Sequence, residues 1–427
     1  MKLLVIGGGG REHALAWKLA RSPQAEKVYV APGNAGTALA LNLENINIAA
    51  NDTEGLLEFA QAAAIDLTVV GPEAPLAAGI VDDFQKKNLA IFGPNKACAQ
   101  LEASKAFSKA FMQAHRIPTA SYRTFTDANQ AIAYIQQQGT PLVIKVDGLA
   151  AGKGVVVAQT ETQAIDAIRN ILVANKFGKA GTSVIIEECL EGEELSFIAM
   201  VDGKTILPLA TSQDHKARDD GNKGPNTGGM GAYSPASMVT PEIETVIMQQ
   251  VMRPVVDGMA KAGTPYVGFL YAGLMLTQEG PKVLEFNCRL GDPEAQPIMM
   301  RLQGDFTELC RLGSHGQLAK GTIKWDPRPA VGVVMASRHY PKTYAKGDVI
   351  KGLEHSLDHT KVFHAGTALK SSKVVTDSGR VLCVTALGDT LAQAQERAYH
   401  LTQKIHWGHE FYRTDIGHKR SVETVVK

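Results

Sequence analysis

The chain has 427 residues, enough for two to four domains that each bury a core. Its 44 basic residues nearly cancel its 43 acidic ones, the net charge is +1, and only 6% of residues are aromatic. That balance offers no basic field for nucleic acid and no platform for stacked bases, and no apolar run is long enough to span a bilayer.

The first ten residues, MKLLVIGGGG, run from a strand into glycines and lack the length and cleavage site of a signal peptide. Five scattered cysteines (Cys98, Cys189, Cys288, Cys310 and Cys383) form neither a metal spacing nor a disulfide framework. A soluble protein of a reducing compartment, the cytosol, is expected. Residues 1–103 then alternate strand and helix. Strands over 3–6, 27–30, 67–70 and 90–92 each end in a glycine or proline turn, which predicts an open parallel sheet, Rossmann-like, with ligands at its C-terminal edge. The turn Gly7–Gly10 lacks the third glycine of a dinucleotide fingerprint: that place falls on Glu12 or His13, and no acid closes the second strand. The turn can instead hold one phosphate monoester, with Arg11 adding charge, or it is simply a tight helix–strand packing turn.

A helix from Ser104 follows. Helices over 126–138 and 160–170 flank a strand–loop–strand stretch, PLVIKVDGLAAGKGVVVA, and a lid of mixed α+β structure is expected over 120–193. Lys145 closes the first strand; Gly152, Lys153 and Gly154 occupy the loop. Two ammonium groups and unhindered backbone N–H groups can surround a polyphosphate. The stretch is no Walker A loop, because too few residues precede Gly152-Lys153, Gly154 replaces the hydroxyl residue and a strand follows. A strand then enters an acidic bend, Glu187 to Glu194, which reads either as an exposed turn or as a hinge that grips a nucleoside.

Residues 210–235 form a long polar, glycine-rich loop containing Asp214, His215 and Lys216, read as a substrate loop in preference to a disordered one. A helix over 241–262 leads to a hairpin, 268–276 and 281–286. Strand periodicity puts Glu285 and Asn287 on one face, where a carboxylate and an amide oxygen suit Mg²⁺ or Mn²⁺. Arg289 follows, able to hold a carboxylate by two parallel hydrogen bonds, unless it only pairs with Glu285. Cys288 reads as a small buried hydrophobe. From 327 a third, β-rich unit begins, with strands over 332–336, 361–366 and 380–386 and a helix capped by Thr390. Its expected task is closure over the nucleotide, and the charged tail after His409 is expected to fray.

Seven stretches, GGREHALAW, APGNAGTA, VGPEAPL, GLAAGKGV, TSQDHK, GPNTGGMGAYSP and EFNCRLGDPE, together resemble the phosphoribosylamine–glycine ligases (glycinamide ribonucleotide synthetases) of the ATP-grasp superfamily. The resemblance covers essentially the whole chain. It implies an α/β and α+β multidomain protein: an N-terminal domain over 1–103, an ATP-grasp domain over 104–326 and a barrel-like C-terminal domain over 327–427. It also implies small-molecule substrates (ATP, glycine and 5-phosphoribosylamine), a magnesium or manganese ion, and a monomer. By this resemblance Lys105, Lys145, Gly152, Lys153 and Gly154 hold the phosphates, Glu187 and Leu190 the adenine, and Glu194 the ribose. Glu285 and Asn287 take the metal and Arg289 the glycine carboxylate or its phosphate. Gly9, Gly10, Arg11, Glu73, Asp214 and Lys216 face phosphoribosylamine, with Lys145, Lys153, Arg289 and Asp214 nearest the chemistry. Two positions depart from the pattern: Gly8, where many members carry Asn, and the region of Gly273, which lacks a second metal carboxylate.

Overall fold

The computed structural model describes residues 1–149 and 154–418. The chain begins in a five-stranded sheet, ordered Leu43–Asn45, Lys27–Pro32, Lys2–Gly7, Leu67–Val70, Ile91–Phe92, with every pairing parallel. The edge strand Leu43–Asn45 is an addition to the expected set. Leu3, Leu4, Val5 and Ile6 are all fully buried because both faces of the sheet are covered. Alternation divides them: Leu3 and Val5 pack with Leu15 and Leu19, whereas Leu4 and Ile6 pack with Leu56, Ala60 and Phe84. Each such aliphatic side chain contributes about 1.5–3 kcal/mol of burial. Sheet order reverses around the first strand, so the turn after Gly7 faces an open crevice.

The next unit contains two layers. A four-stranded antiparallel sheet, Tyr122–Phe125, Val184–Glu188, Leu142–Val146 and Val155–Ala158, carries helices Ala128–Gln138 and Glu161–Ile168 on one side. The first helix starts two residues later than its pattern suggests, because Asp127 accepts from the Gln130 amide and caps it. A second sheet is ordered Ile206–Pro208, Glu193–Asp202, Val267–Thr277, Gly280–Asn287. The helix expected over 241–262 is present but passes through a π-turn at Met248–Met252, just before Pro254, which has no N–H to close an ordinary turn.

The region 210–235 is ordered and β-rich. Ala217–Asp219 and Lys223–Asn226 form a hairpin, and Gly231–Ser234 pairs with Ala330–Ser337. That pairing makes it part of the antiparallel sheet completed by Arg380–Leu387, Thr360–His364 and Glu410–Phe411. The expectation of a frayed tail after His409 is corrected for residues up to 418. Glu410–Phe411 is a strand, and Arg413 is 1% exposed. Its guanidinium donates to both carboxylate oxygens of Asp415 at 2.7 Å, to the Ala217 carbonyl at 3.0 Å and to Asn222 Oδ1 at 2.9 Å. A buried arginine reads as a surface charge until its acceptors are known. Among the described residues no helix is long and apolar enough to cross a membrane.

Removing the Arg413 side chain leaves these acceptors unpaired. Arg413→Ala is expected to lower unfolding free energy by about 3 kcal/mol. Urea denaturation of the full chain measures it.

Candidate active site

A cleft of about 630 Å³ lies where the three parts of the chain meet. Gly9, Arg11, Glu73, Lys105, Lys145, Gly154, Glu187, Asp214, Lys216, Glu285, Asn287 and Arg289 all line it. Gly152 and Lys153 lie outside the described residues. Gly10 is placed differently: it packs against Gln296, whose Nε2 would be 2.5 Å from a Cβ there, and it does not line the cleft. Leu190 sits in the connection between Val184–Glu188 and Glu193–Asp202, and Glu194 starts the second of these strands. Gly8 approaches the Gly33 carbonyl so closely that a Cβ would lie 2.5 Å from it, so this form of the turn requires glycine.

One side of the cleft is built around a shared carboxylate. Glu187 is 2% exposed, and its Oε2 meets Lys145 Nζ at 2.9 Å and Lys109 Nζ at 3.0 Å. Lys145 also donates to the Leu284 carbonyl at 3.0 Å. Burial, aided by the neighbouring Lys145 charge, pushes the Lys109 ammonium down to about 8 despite Glu187. Lys109 escaped the sequence reading, although it stands one helical turn after Lys105 on helix Lys105–Ala114. Ser104 caps that helix, and both its hydroxyl and the Ala106 amide are anchored to Asp147.

The opposite wall holds Arg289. Its Nη2 lies 2.8 Å from Glu102 and its Nε 3.3 Å from Glu73, so its partners are these two acids and not Glu285. Burial raises the Glu102 carboxyl, with Arg289 opposing that shift. At the N-terminal turn, Gly9 N–H donates to Glu12 Oε2 at 2.6 Å, and Arg11 Nε donates to Glu12 Oε1 at 2.5 Å. Glu12, standing where a dinucleotide fingerprint wants glycine, occupies the crevice itself: Cβ atoms on Gly7 or Gly71 would strike its side chain at 2.4 and 2.2 Å.

Glu285 and Asn287 project from strand Gly280–Asn287 into the cleft. Burial raises the Glu285 carboxyl, but Lys216, Lys105, Lys145 and Arg289 outweigh it and hold the group below its usual range. Among the described residues its carboxylate forms no ion pair, which leaves hard oxygen donors of the kind that fit Mg²⁺ or Mn²⁺ beside nucleotide phosphates. Gly273 is the residue directly opposite Glu285 on the paired strand, so no second acid stands there. Lys216 pairs with Glu194 at 3.0 Å. Glu294, which sequence reasoning missed, is 3% exposed and accepts from Tyr271 and Ser196 at 2.7 and 3.1 Å. Burial pushes the Asp214 carboxyl up to about 8, with Glu294, Glu194 and Glu285 adding to the rise and Lys216 opposing it. The C-terminal part adds Tyr340 and Arg380, whose Nη1 reaches the carbonyls of Gly228 and Asp292 at 2.7 and 2.6 Å.

Asp214 gives a pH signature. Its folded value of about 8 lies above the ordinary 3.8, so the folded protein binds the extra proton between those values. The stability cost of ionising it is absent below pH 3.8, grows as pH rises and is complete above pH 8. Asp214→Asn should therefore stabilise the fold more at pH 9 than at pH 5; equal shifts at both would contradict the assignment, and urea midpoints decide.

Three family models cover nearly the whole chain. The N domain of phosphoribosylglycinamide synthetase matches residues 1–102, its ATP-grasp (A) domain 103–295 and its C domain 330–419. The chain is 57% identical over 421 residues to a phosphoribosylamine–glycine ligase of Vibrio vulnificus strain YJ016, covering 98% of each protein. To that of Yersinia pestis it is 58% identical over 422 residues, covering 98% of this chain and 99% of the relative. The crystal structure of phosphoribosylamine–glycine ligase from Thermotoga maritima is similar with a TM-score of 0.83 at 34% identity, covering 97% of this chain and 100% of that one. A biotin carboxylase from Campylobacter jejuni shares the fold alone, with a TM-score of 0.73 at 14% identity over 96% of this chain and 92% of that one.

Proposed function

This chain belongs to the phosphoribosylglycinamide synthetase family, and from that premise we propose that it joins glycine to 5-phosphoribosylamine using ATP. The products are glycinamide ribonucleotide, ADP and phosphate, an early step of purine (IMP) synthesis. The observation that carries this reading is a single cleft containing three things: a lysine set for polyphosphate, an oxygen-donor pair on one strand, and an arginine fixed by two carboxylates.

In the reaction a glycine carboxylate oxygen attacks the γ-phosphorus and the bond to the ADP oxygen breaks, giving glycyl phosphate. The amine of phosphoribosylamine then attacks the acyl carbon; phosphate leaves and the nitrogen loses a proton. Such transfers depend on positioned charge more than on covalent help from the protein. Lys105 and Lys145, with Gly152, Lys153 and Gly154, hold the phosphates. The Glu187 carboxylate is committed to two lysines, so its contribution at the adenine falls to its backbone, beside Leu190. Glu194 holds the ribose and Arg289 the glycine carboxylate. Gly9, Arg11 and Glu73 take phosphoribosylamine, with Gly10 seating their turn against Gln296, and Asp214 with Lys216 orients its amine. Glu285 and Asn287 would hold Mg²⁺ or Mn²⁺, which neutralises phosphate charge when bound. The working units in this proposal are residues 1–103, 104–326 with a lid over 120–193, and 327–427. The proposal places them in one cytosolic monomer.

ADP release from ATP and Mg²⁺ should require glycine and freshly made phosphoribosylamine together, with glycinamide ribonucleotide as product. Release indifferent to glycine would assign the site to another ATP-grasp reaction, such as a phosphoribosyl-substrate transformylase. Glu285→Gln should raise the Mg²⁺ needed for half-maximal rate by roughly tenfold or more, while the unfolding midpoint stays near that of the parent chain. A collapsed midpoint with unaltered Mg²⁺ dependence would make Glu285 a structural residue.

A further inference from the structure

Helix Gly10–Leu19 presents Arg11 to the catalytic cleft at one end and a second cleft, of about 620 Å³, at the other. Arg11 and Lys18 are seven positions apart, roughly 10 Å along the axis. The second cleft is walled by Trp17, Lys18 and Arg21, by Leu302 after helix Ala295–Arg301, and by His359 and Lys361 at the head of strand Thr360–His364. Among the described residues no carboxylate lines it.

The cations here are gathered without anions. Among the described residues Lys18, Arg21 and Lys361 form no ion pair with an acid, unlike Lys109, Lys145, Lys216 and Arg289 of the catalytic cleft. The Lys18 residue is only 8% exposed and its ammonium donates to the Leu302 carbonyl. Burial and the nearby Arg21 charge push it down to about 8, and the same two causes lower Lys361. The Arg21 guanidinium and the Lys18 ammonium lie 5.1 and 5.7 Å from the Trp17 ring centroid. A helix C-terminus attracts cations, which accounts for Lys18 and Arg21. It does not account for Lys361, brought to the same space by a strand from far along the chain. Cations that repel one another across a solvent-open cleft suit a polyanion that bridges them.

We propose that this cleft is a second binding site, for a phosphate-bearing small molecule held by Lys18, Arg21 and Lys361. Its walls come from the first sheet unit, the end of the ATP-grasp unit and the C-terminal sheet, so an occupant ties the three together.

The test is calorimetric titration of sodium pyrophosphate, without divalent metal, into the full chain. Variants are Lys145→Met in the catalytic cleft, the double variant Arg21→Ala with Lys361→Ala, and the charge-keeping pair Arg21→Lys with Lys361→Arg. Binding should persist in Lys145→Met and in the charge-keeping pair. It should weaken by at least about tenfold in the alanine pair, which loses two charge-assisted contacts. The alanine pair should keep the parent rate when no phosphate compound beyond the substrates is added. Pyrophosphate binding that is unchanged in the alanine pair, that disappears with Lys145→Met, or that falls equally in the alanine and charge-keeping pairs overturns the proposal.

Discussion

The site depends on holding like charges together before their ligand arrives. Two unit charges about 4 Å apart repel by about 4 kcal/mol at an effective dielectric of 20. Lys109 and Lys145 both lie within 3.0 Å of one oxygen of Glu187, so that a single buried carboxylate keeps two ammonium groups adjacent. Arg289 is managed in the reverse way, one cation between Glu73 and Glu102. In both clusters the side chains are fixed by ion pairs within the protein, and little reorganisation is left for the moment a charged substrate enters.

Those clusters come from different parts of the chain, so the joints between the parts matter as much as the charges. Asn34 is the clearest joint. Its Oδ1 caps helix Ala35–Leu39, while its Nδ2 donates to the carbonyls of Gly8 at 3.0 Å and His364 at 2.9 Å. The His364 amide in turn donates to His13 Nδ1 at 2.9 Å. Burial drives both imidazoles well below their ordinary range, which keeps them neutral and lets His13 accept that bond at physiological pH. Arg380 makes the second joint by reaching the carbonyls of Gly228 and Asp292 together. The C-terminal part thus fixes the glycine-rich loop and the turn before helix Ala295–Arg301.

Much of this was legible in the sequence where function sits on a regular element. Period-two alternation placed Glu285 and Asn287 on one face of a strand, and both line the cleft. The strand–glycine–strand pattern placed Lys145 at a strand end beside the cleft. The seven motifs led to the family. Partners formed only by packing were not legible. Glu102 is a single acid with no local pattern and Glu294 only closes the EFNCRLGDPE stretch, and each gains its meaning from residues far away in sequence. Lys109 left a faint trace in its spacing from Lys105. Gly10 was hard to read because a glycine run marks close approach without saying to what, and here the neighbour is Gln296. Arg413 misled for the opposite reason, since a charged tail looks solvated when the acceptors that bury it lie in another hairpin.

The departures from the family pattern have a physical sense in this fold. Gly273 faces Glu285 across the hairpin, and the register shifts by a bulge immediately after it. A carboxylate at Gly273 would set two acids side by side where Lys216, Lys105, Lys145 and Arg289 already hold Glu285 ionised. With glycine there, the strand pair offers one charge and one neutral amide, and a small hard cation must complete its shell from phosphate oxygens and water. In the proposed reaction an ion held that way would be bound firmly only with a nucleotide beside it. Metal affinity would then follow nucleotide affinity, with the cleft's cations the principal complement to the triphosphate.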